Sequence, residues 1–400
     1  MRFAHFSDCH LGSWNNHPEL RELATRTFEA SIDKCISEDV DFILVSGDLF
    51  DTSLPPLDIL RRAVVMFRKC REAGIPVYAI PGSHDFSPTG KTFLSVLEDA
   101  GLLVDVAKFS EVDGKIKLEF VQDKKTGAKI TGMAGKMGAL EHKSFEILDR
   151  AIEREDGYKI FLFHSAIEEY KPPHMKEMKA LPLSLLPRNF DYYAAGHVHV
   201  RHESNYGNAK IIFPGPTFPT EFTELEKFCA GFYYVDTAAG TAVPCDVNLC
   251  SVALVRLDAS NKTPQQITEE LKKRMPADLK NKILLLRVDG IIDGRITDID
   301  FQHITAVAAE QGAIAVKKNI AKLTSKELMA VTVDSNLGIA AIENEIVMNS
   351  IGKIKFPLLE KEEDVIFSLM AALNDEKQEG ETISVFEERV KKNAKKFLGL

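Results

Sequence analysis

Aspartates and histidines recur in this chain where short apolar runs end, in a pattern able to hold metal. The groups are Asp8-Cys9-His10, Gly47-Asp48-Leu49-Phe50-Asp51, Gly82-Ser83-His84-Asp85, a solitary His164, and Gly196-His197-Val198-His199. Carboxylate oxygens and imidazole nitrogens without thiolates suit hard or borderline divalent ions such as manganese or iron. They fit structural zinc poorly. The set is large enough for two ions sharing one carboxylate, and the chemistry such a pair serves is phosphoester hydrolysis.

Asp8 and His10 lie two apart, so in an extended loop both side chains project to one side and can grip one ion. Gly47 lets the backbone turn sharply and leaves Asp48 projecting from a strand end. Asp51 reads as a turn cap or an orienting partner rather than a ligand. At Gly82–Asp85 an imidazole stands beside a carboxylate, the pairing that fixes a tautomer and supports acid–base work. His164, taken alone, reads as a packed, hydrogen-bonded histidine more readily than as a ligand. His197 and His199, again two apart after a glycine, form a natural two-ion clamp. His5, His17, His142, His174, His202 and His303 fall in no comparable arrangement and read as structural or surface residues.

Such groups need a scaffold that ends several strands in one place. Arg2–Ser7, Phe42–Val45 and Val77–Ile80 are apolar runs of strand length, followed by Lys129–Ala134, Lys159–Phe163, Tyr192–Ala195 and Lys210–Phe213. Pro18 opens a helix with Leu20, Leu23, Ala24, Thr27, Phe28, Ile32 and Cys35 at spacings of three and four. Leu57–Glu72 reads as a second helix, stopped by Gly74 and Pro76, and Lys91–Asp99 as a short third. Apolar strands alternating with helices indicate a parallel sheet buried on both faces, with ligands gathered beyond the carboxyl ends of its strands. The five groups fall there.

A smaller α+β unit is expected from Thr241, with strands Ser251–Leu257, Ile283–Val288 and Ile314–Lys317 and helices from Pro264 to Met275 and over Asp300–Gln311. It carries no dense cluster of ligand-type side chains and reads as a substrate-shaping lid. From Asn336 two amphipathic helices follow, one presenting Val365, Ile366, Leu369, Met370 and Leu373, the other Ile383, Phe386, Val390 and Phe397. Glu379-Gly380 separates them. Such a pair docks in a partner's groove or packs on its own chain.

At 400 residues the chain exceeds one ordinary core, and 45% hydrophobic with 27% charged residues is the balance of a soluble globular protein. No run approaches the length of a membrane span, and the strand beginning at Arg2 leaves no room for a signal peptide. Six cysteines without a CxxC pair fit a reducing cytoplasm. The net charge of −9 argues against a nucleic-acid coat protein. It does not exclude a nuclease, because bound cations and local Lys/Arg patches can supply the field that docks phosphates.

Taken in order, the five groups resemble the blocks of the calcineurin-like metallophosphoesterase superfamily, D-x-H, G-D-x-x-D, G-N-H-D/E, H and G-H-x-H. The resemblance implies an α/β fold, a β-sandwich flanked by helices, over residues 1–240. The stretches Phe6–Gly12, Gly47–Pro56 and Gly290–Asp300 are further similar to the DNA double-strand-break repair nucleases of the SbcD or Mre-eleven family. That likeness implies a capping domain over 241–335 that shapes a DNA cleft. It also implies a C-terminal helix–loop–helix over 336–400 that grips an SbcC or Rad-fifty-like ABC ATPase, and a homodimer formed through Leu57–Glu72 and Lys91–Asp99. The chain lacks a G-x-x-x-x-G-K-[ST] loop, so any ATP dependence would come from the partner.

By the same resemblance two Mn²⁺ are expected per subunit. Asp8, His10 and His199 would hold the first, Asp48 would bridge both, and His164, His197 and Ser83 would hold the second. His84, oriented by Asp85, would serve the leaving 3′ oxygen. The implied activity is a manganese-dependent 3′–5′ exonuclease and single-strand or hairpin endonuclease on broken DNA ends, in the cytoplasm. The family carries Asn where Ser83 stands, and a serine hydroxyl is a shorter and poorer donor, so the second site is expected to be weak. The competing readings are a phosphatase or nucleotide phosphodiesterase with a small substrate, and a metal-free scaffold subunit.

Overall fold

The computed structural model describes residues 1–87, 90–136, 138, 140–171, 175, 177–326, 347–348, 362–375 and 383–398. The apolar runs become strands, and they build two six-stranded sheets, the sandwich that the family resemblance implied, where their pattern alone suggested one parallel sheet. One sheet runs in the order β14 (Thr241–Asp246), β13 (Gly231–Asp236), β1 (Arg2–Phe6), β2 (Phe42–Ser46), β3 (Val77–Ile80), β4 (Val104–Asp105). The other runs β11 (His202–Tyr206), β12 (Ala209–Phe213), β10 (Tyr192–Gly196), β9 (Lys159–His164), β8 (Lys129–Met133), β7 (Val121–Gln122). Neighbours β1 to β4 are parallel, as are β8, β9, β10 and β12, while β7, β11, β13 and β14 pair antiparallel at the margins. Strand β14 thus belongs to the first sheet, beyond the boundary expected at residue 240.

Period-two alternation explains why these strands are apolar throughout. Phe42 and Leu44 face the second sheet with Phe3, Ile160, Leu162 and Tyr192, while Ile43 and Val45 turn outward onto Phe28, Ile32 and Phe67. Those last three residues lie on α1 (Pro18–Ser37) and α2 (Leu57–Glu72). Helix α3 covers Phe93–Asp99, two residues later than expected, because the Thr92 hydroxyl accepts the Leu94 N–H and caps it. On the outer face of the second sheet, Phe161, Phe163 and Tyr193 pack with Phe145 and Phe190. Phe145 lies on α4 (His142–Glu146). An antiparallel hairpin, β5 (Phe109–Val112) and β6 (Lys115–Leu118), follows β4; Asp113 and Gly114, both at positive φ, form its turn.

Among the interior apolar residues sits His5, with Nδ1 at 2.9 Å from the Tyr192 hydroxyl and Nε2 at 3.0 Å from Ser46 Oγ. It is structural, as its sequence context suggested. Burial pushes its pKa down to about 3 against a weaker opposing hydrogen bond at Ala195. Between that value and the 6.5 of an unfolded histidine the unfolded chain binds a proton that the fold excludes, so stability falls as pH drops below 6.5. The stability lost between pH 7 and pH 5 is expected to be smaller in His5→Gln by about 2 kcal/mol. Urea titrations of both proteins at the two pH values check this; equal losses would remove the assignment.

Past the first sheet come α5 (Phe222–Lys227), β15 (Ser251–Asp258), α6 (Pro264–Arg274), β16 (Lys282–Ile292), α7 (Phe301–Glu310), β17 (Ala315–Asn319) and β18 (Leu323–Ser325). One compact unit takes in Met1–Leu257, Glu270–Val288 and Phe301–Ile320, and hence both large sheets and the β16–β17 pair. The other comprises Asp258–Glu269, Asp289–Asp300 and Ala321–Leu400. In it Gly290–Ile292 pairs with β18, and the helices α8 (Glu362–Leu373) and α9 (Ile383–Leu398) pack on each other. The boundary expected at Asn336 and the Glu379-Gly380 break lie outside the described residues. Among the described residues, no helix is long and apolar enough to cross a membrane.

Candidate metal centre

The register of the parallel strands ends β1, β2 and β3 together, and pairs Gly196 of β10 with His164 of β9. The loops that follow are laced by backbone hydrogen bonds, Asp8 N–H to Gly47 O at 3.1 Å, His10 N–H to Asp48 O at 3.0 Å and Leu11 N–H to Leu49 O at 3.0 Å. Asp8, His10, Asp48 and His197 all hold positive φ, at 50°, 42°, 51° and 89°. Non-glycine residues enter that region at a cost of about 1–3 kcal/mol each and keep it where surrounding contacts over-determine the backbone. Glycines make the close approach possible. A Cβ on Gly47 would lie 2.3 Å from His164 Nδ1, and one on Gly196 would lie 2.1 Å from Ser46 O.

Asp48 is at the centre and buried. Its Oδ1 accepts the His84 backbone N–H at 2.8 Å, and its Oδ2 lies 3.0 Å from His164 Nε2, 3.4 Å from Ser83 Oγ and 3.7 Å from His10 Nε2. Asp8 accepts the Ser7 hydroxyl at 2.5 Å and the His197 N–H on both oxygens, at 3.0 and 3.2 Å. His10 Nε2 and His199 Nε2 face each other at 3.1 Å, and His199 Nε2 is 3.7 Å from Asp8 Oδ1. Among the described residues, three clusters have donor atoms within 4.8 Å of one another: Asp8, His10 and His199; His10, Asp48 and His84; and Asp8, Asp48 and His164.

These donors fit divalent cations on chemical grounds. His164 Nδ1–H donates to Ser46 O at 2.8 Å, so a neutral His164 would aim its Nε2 lone pair at the Asp48 carboxylate. Without metal, protons fill that role. Burial works to lower His164, yet the charge and hydrogen bond of Asp48 overcome it and raise the pKa to about 10. Asp48 is correspondingly held far below the carboxylate range; burial opposes this, and His164, then His10, outweigh it. His199 is likewise lifted against burial, to about 9, by Glu224 and Asp8. His197 is pushed down to about 4 by burial and by the charge on His164. A cation among these groups supplies the positive charge that protons otherwise bring.

Asp8, His10, Asp48, His164 and His199 therefore converge as the sequence suggested. His197 sits beside them, its ring 5.1 Å from that of His164, but joins none of the three clusters. Ser83 reaches Asp48 and no farther among its hydrogen bonds. Asp85 corrects the sequence expectation, because it does not orient His84. Its buried carboxylate accepts the N–H groups of Gly82 at 2.8 Å, Phe50 at 3.1 Å and Leu49 at 3.3 Å. Burial and the nearby Asp48 charge raise its pKa to about 6. The exposed His84 ring is held instead by the Asp51 carbonyl, which lies 2.8 Å from its Nδ1. Asp51 also brings its carboxylate within 3.3 Å of His10 Nδ1, without a hydrogen bond between them. Two partners escaped the sequence reading, the Ser46 carbonyl behind His164 and Glu224 behind His199. Neither has a motif that could announce it.

This chain is similar to several known proteins. A DNA double-strand break repair protein Mre11 from Methanococcus maripaludis is 28% identical over 306 residues, 71% of this chain and 77% of that protein. The protein of the same name from Methanocaldococcus jannaschii is 30% identical over 246 residues, 59% of this chain and 62% of its own. Among solved structures, a dimetal phosphatase from Danio rerio aligns with 58% of this chain and 91% of its own, at 12% identity and a TM-score of 0.38. The calcineurin-like phosphoesterase family matches residues 1–201, the span that carries every group of the cluster, and the chain belongs to that family.

Proposed function

We propose that this chain is a manganese-dependent DNA nuclease that processes double-strand breaks, as a 3′–5′ exonuclease and a single-strand or hairpin endonuclease. The observation that carries this reading is the convergence of Asp8, His10, His164 and His199 around Asp48, in a chain related to Mre11 repair proteins. Asp8, His10 and His199 would hold one ion, Asp48 would be shared, and His164, with His197 and Ser83 alongside, would hold the other. Bound there, two divalent ions supply an activated water and neutralise charge on the phosphate.

The remaining work falls to the protein. The Asp51 carbonyl keeps the proton of His84 on Nδ1, which leaves Nε2 to exchange a proton with the leaving oxygen. Asp85 holds the turn that carries His84 by gathering three backbone N–H groups. A cleft of ≈ 590 Å³ opens beside Ser83, His84 and His197, and Lys136 and Lys179 on its wall offer cationic contacts to phosphates. The segment that follows β14, up to residue 335, would serve as the DNA-shaping cap, α2 and α3 as a dimer face, and 336–400 as the seat of a Rad-fifty-like ABC ATPase.

The deciding comparison is the manganese-dependent rate on linear duplex DNA against that on para-nitrophenyl phosphate. DNA cleavage is expected; turnover of the small ester alone would replace this reading with a phosphatase. Ser83→Asn, which restores an amide oxygen beside Asp48, is expected to tighten the weaker manganese site by about tenfold. Manganese titration of the two proteins measures this, and equal affinities would refute it.

A further inference from the structure

One carboxylate reaches a metal-ligand histidine from behind. Glu224, on α5, accepts the His199 Nδ1–H on Oε1 at 2.7 Å. Its Oε2 accepts the Thr220 backbone N–H at 2.7 Å and the Thr220 hydroxyl at 3.0 Å. Both oxygens are thus bonded, and the carboxylate has little freedom to turn. The acceptor keeps the proton on Nδ1 and leaves the Nε2 lone pair, 3.7 Å from Asp8 Oδ1, for a cation.

Helix α5 has six residues, too few to hold its own position. Two residues beyond Glu224, Glu226 is clamped by Arg287 of β16, with Nε and Nη2 donating to its two oxygens at 2.7 and 2.8 Å. The same guanidinium lies over the Phe222 ring at 5.2 Å. Such a fork is bidentate and planar, so it fixes orientation as well as distance. A continuous set of contacts therefore runs from β16 through α5 to the metal ligand.

We propose that Glu224 is a positioning residue of the metal centre, holding His199 in tautomer and orientation, and that the Arg287–Glu226 clamp holds Glu224. The inference rests on the metal-binding reading above and adds residues that no sequence block contains. The competing view is that Glu224 merely ties down the start of α5 through Thr220.

Manganese titration calorimetry on the full chain, with thermal melting of the metal-free proteins, separates the two views. Glu224→Ala is expected to weaken the site containing His199 by about 10- to 100-fold. Glu224→Gln keeps an oxygen for Nδ1–H and should fall between it and the parent. Arg287→Gln should weaken the same site by about 3- to 10-fold. Glu221→Ala, on the same segment but exposed, should change nothing. Lower melting temperatures with parental manganese affinity in both Glu224→Ala and Arg287→Gln would overturn the proposal and leave the metal reading intact. Should Glu224→Ala fail to fold, parental affinity in Arg287→Gln would count against the proposal. If the parent itself binds no manganese, both readings fall together.

Discussion

Asp48→Asn is expected to lower DNA cleavage by at least about 10³-fold and to strip metal from both positions of the centre. Asp48 lies 3.0 Å from His164 and 3.7 Å from His10, two imidazoles assigned to different ions. An amide keeps the shape but loses the charge that both ions would share, and several kcal/mol of attraction go with it. The same change has a sign that can be read without any metal. Asp48 is the main group that lifts His164 to about 10. In the variant, burial is opposed only by the Asp8 charge and the Ser46 hydrogen bond, and His164 should lose its proton at lower pH. Metal content by mass spectrometry, the cleavage rate, and NMR titration of His164 report the three effects. A variant that retained stoichiometric manganese and the parental rate would end the shared-ligand assignment.

For His84→Asn the expected loss of rate is about 10²- to 10⁴-fold, the usual worth of a positioned acid or base, with metal content unchanged. His84 is exposed, and its backbone N–H, not its ring, bonds to Asp48. Its ring does come within reach of His10 and Asp48 as a cluster of donors. The substitution therefore discriminates between two roles. Loss of rate with full metal content identifies a proton-transfer group; loss of metal identifies a ligand. An unchanged rate would withdraw His84 from the mechanism.

Much of the scaffold was legible because its signals are local. Pro18 at the first helical position, Gly74 and Pro76 after α2, and fully apolar runs such as Phe42–Val45 are properties of neighbouring residues, and each element lies where they place it. The partition of strands into two sheets was implied by the family resemblance and was not legible in the strands themselves. In Lys159–His164 every residue is buried, as in Phe42–Ser46, because each strand has a packed layer on either side. A run that is apolar on both faces says nothing about which sheet it joins. The error at Asp85 has a similar root. Adjacency in sequence suggested a pair with His84, but the turn sends the carboxylate inward to backbone N–H groups and leaves the imidazole exposed.

By itself the amino-acid order determined which donor atoms are available, that they are hard oxygens and imidazole nitrogens, and that each follows a strand end. The central place of Asp48 was already implied by the family resemblance; tertiary structure alone decided that His84 takes its orientation from a carbonyl and that Glu224 backs His199. The reason is separation along the chain. His10 meets His199 across 189 positions and His84 meets Asp51 across 33, and contacts of that kind are made by sheet register and packing, which no local pattern encodes.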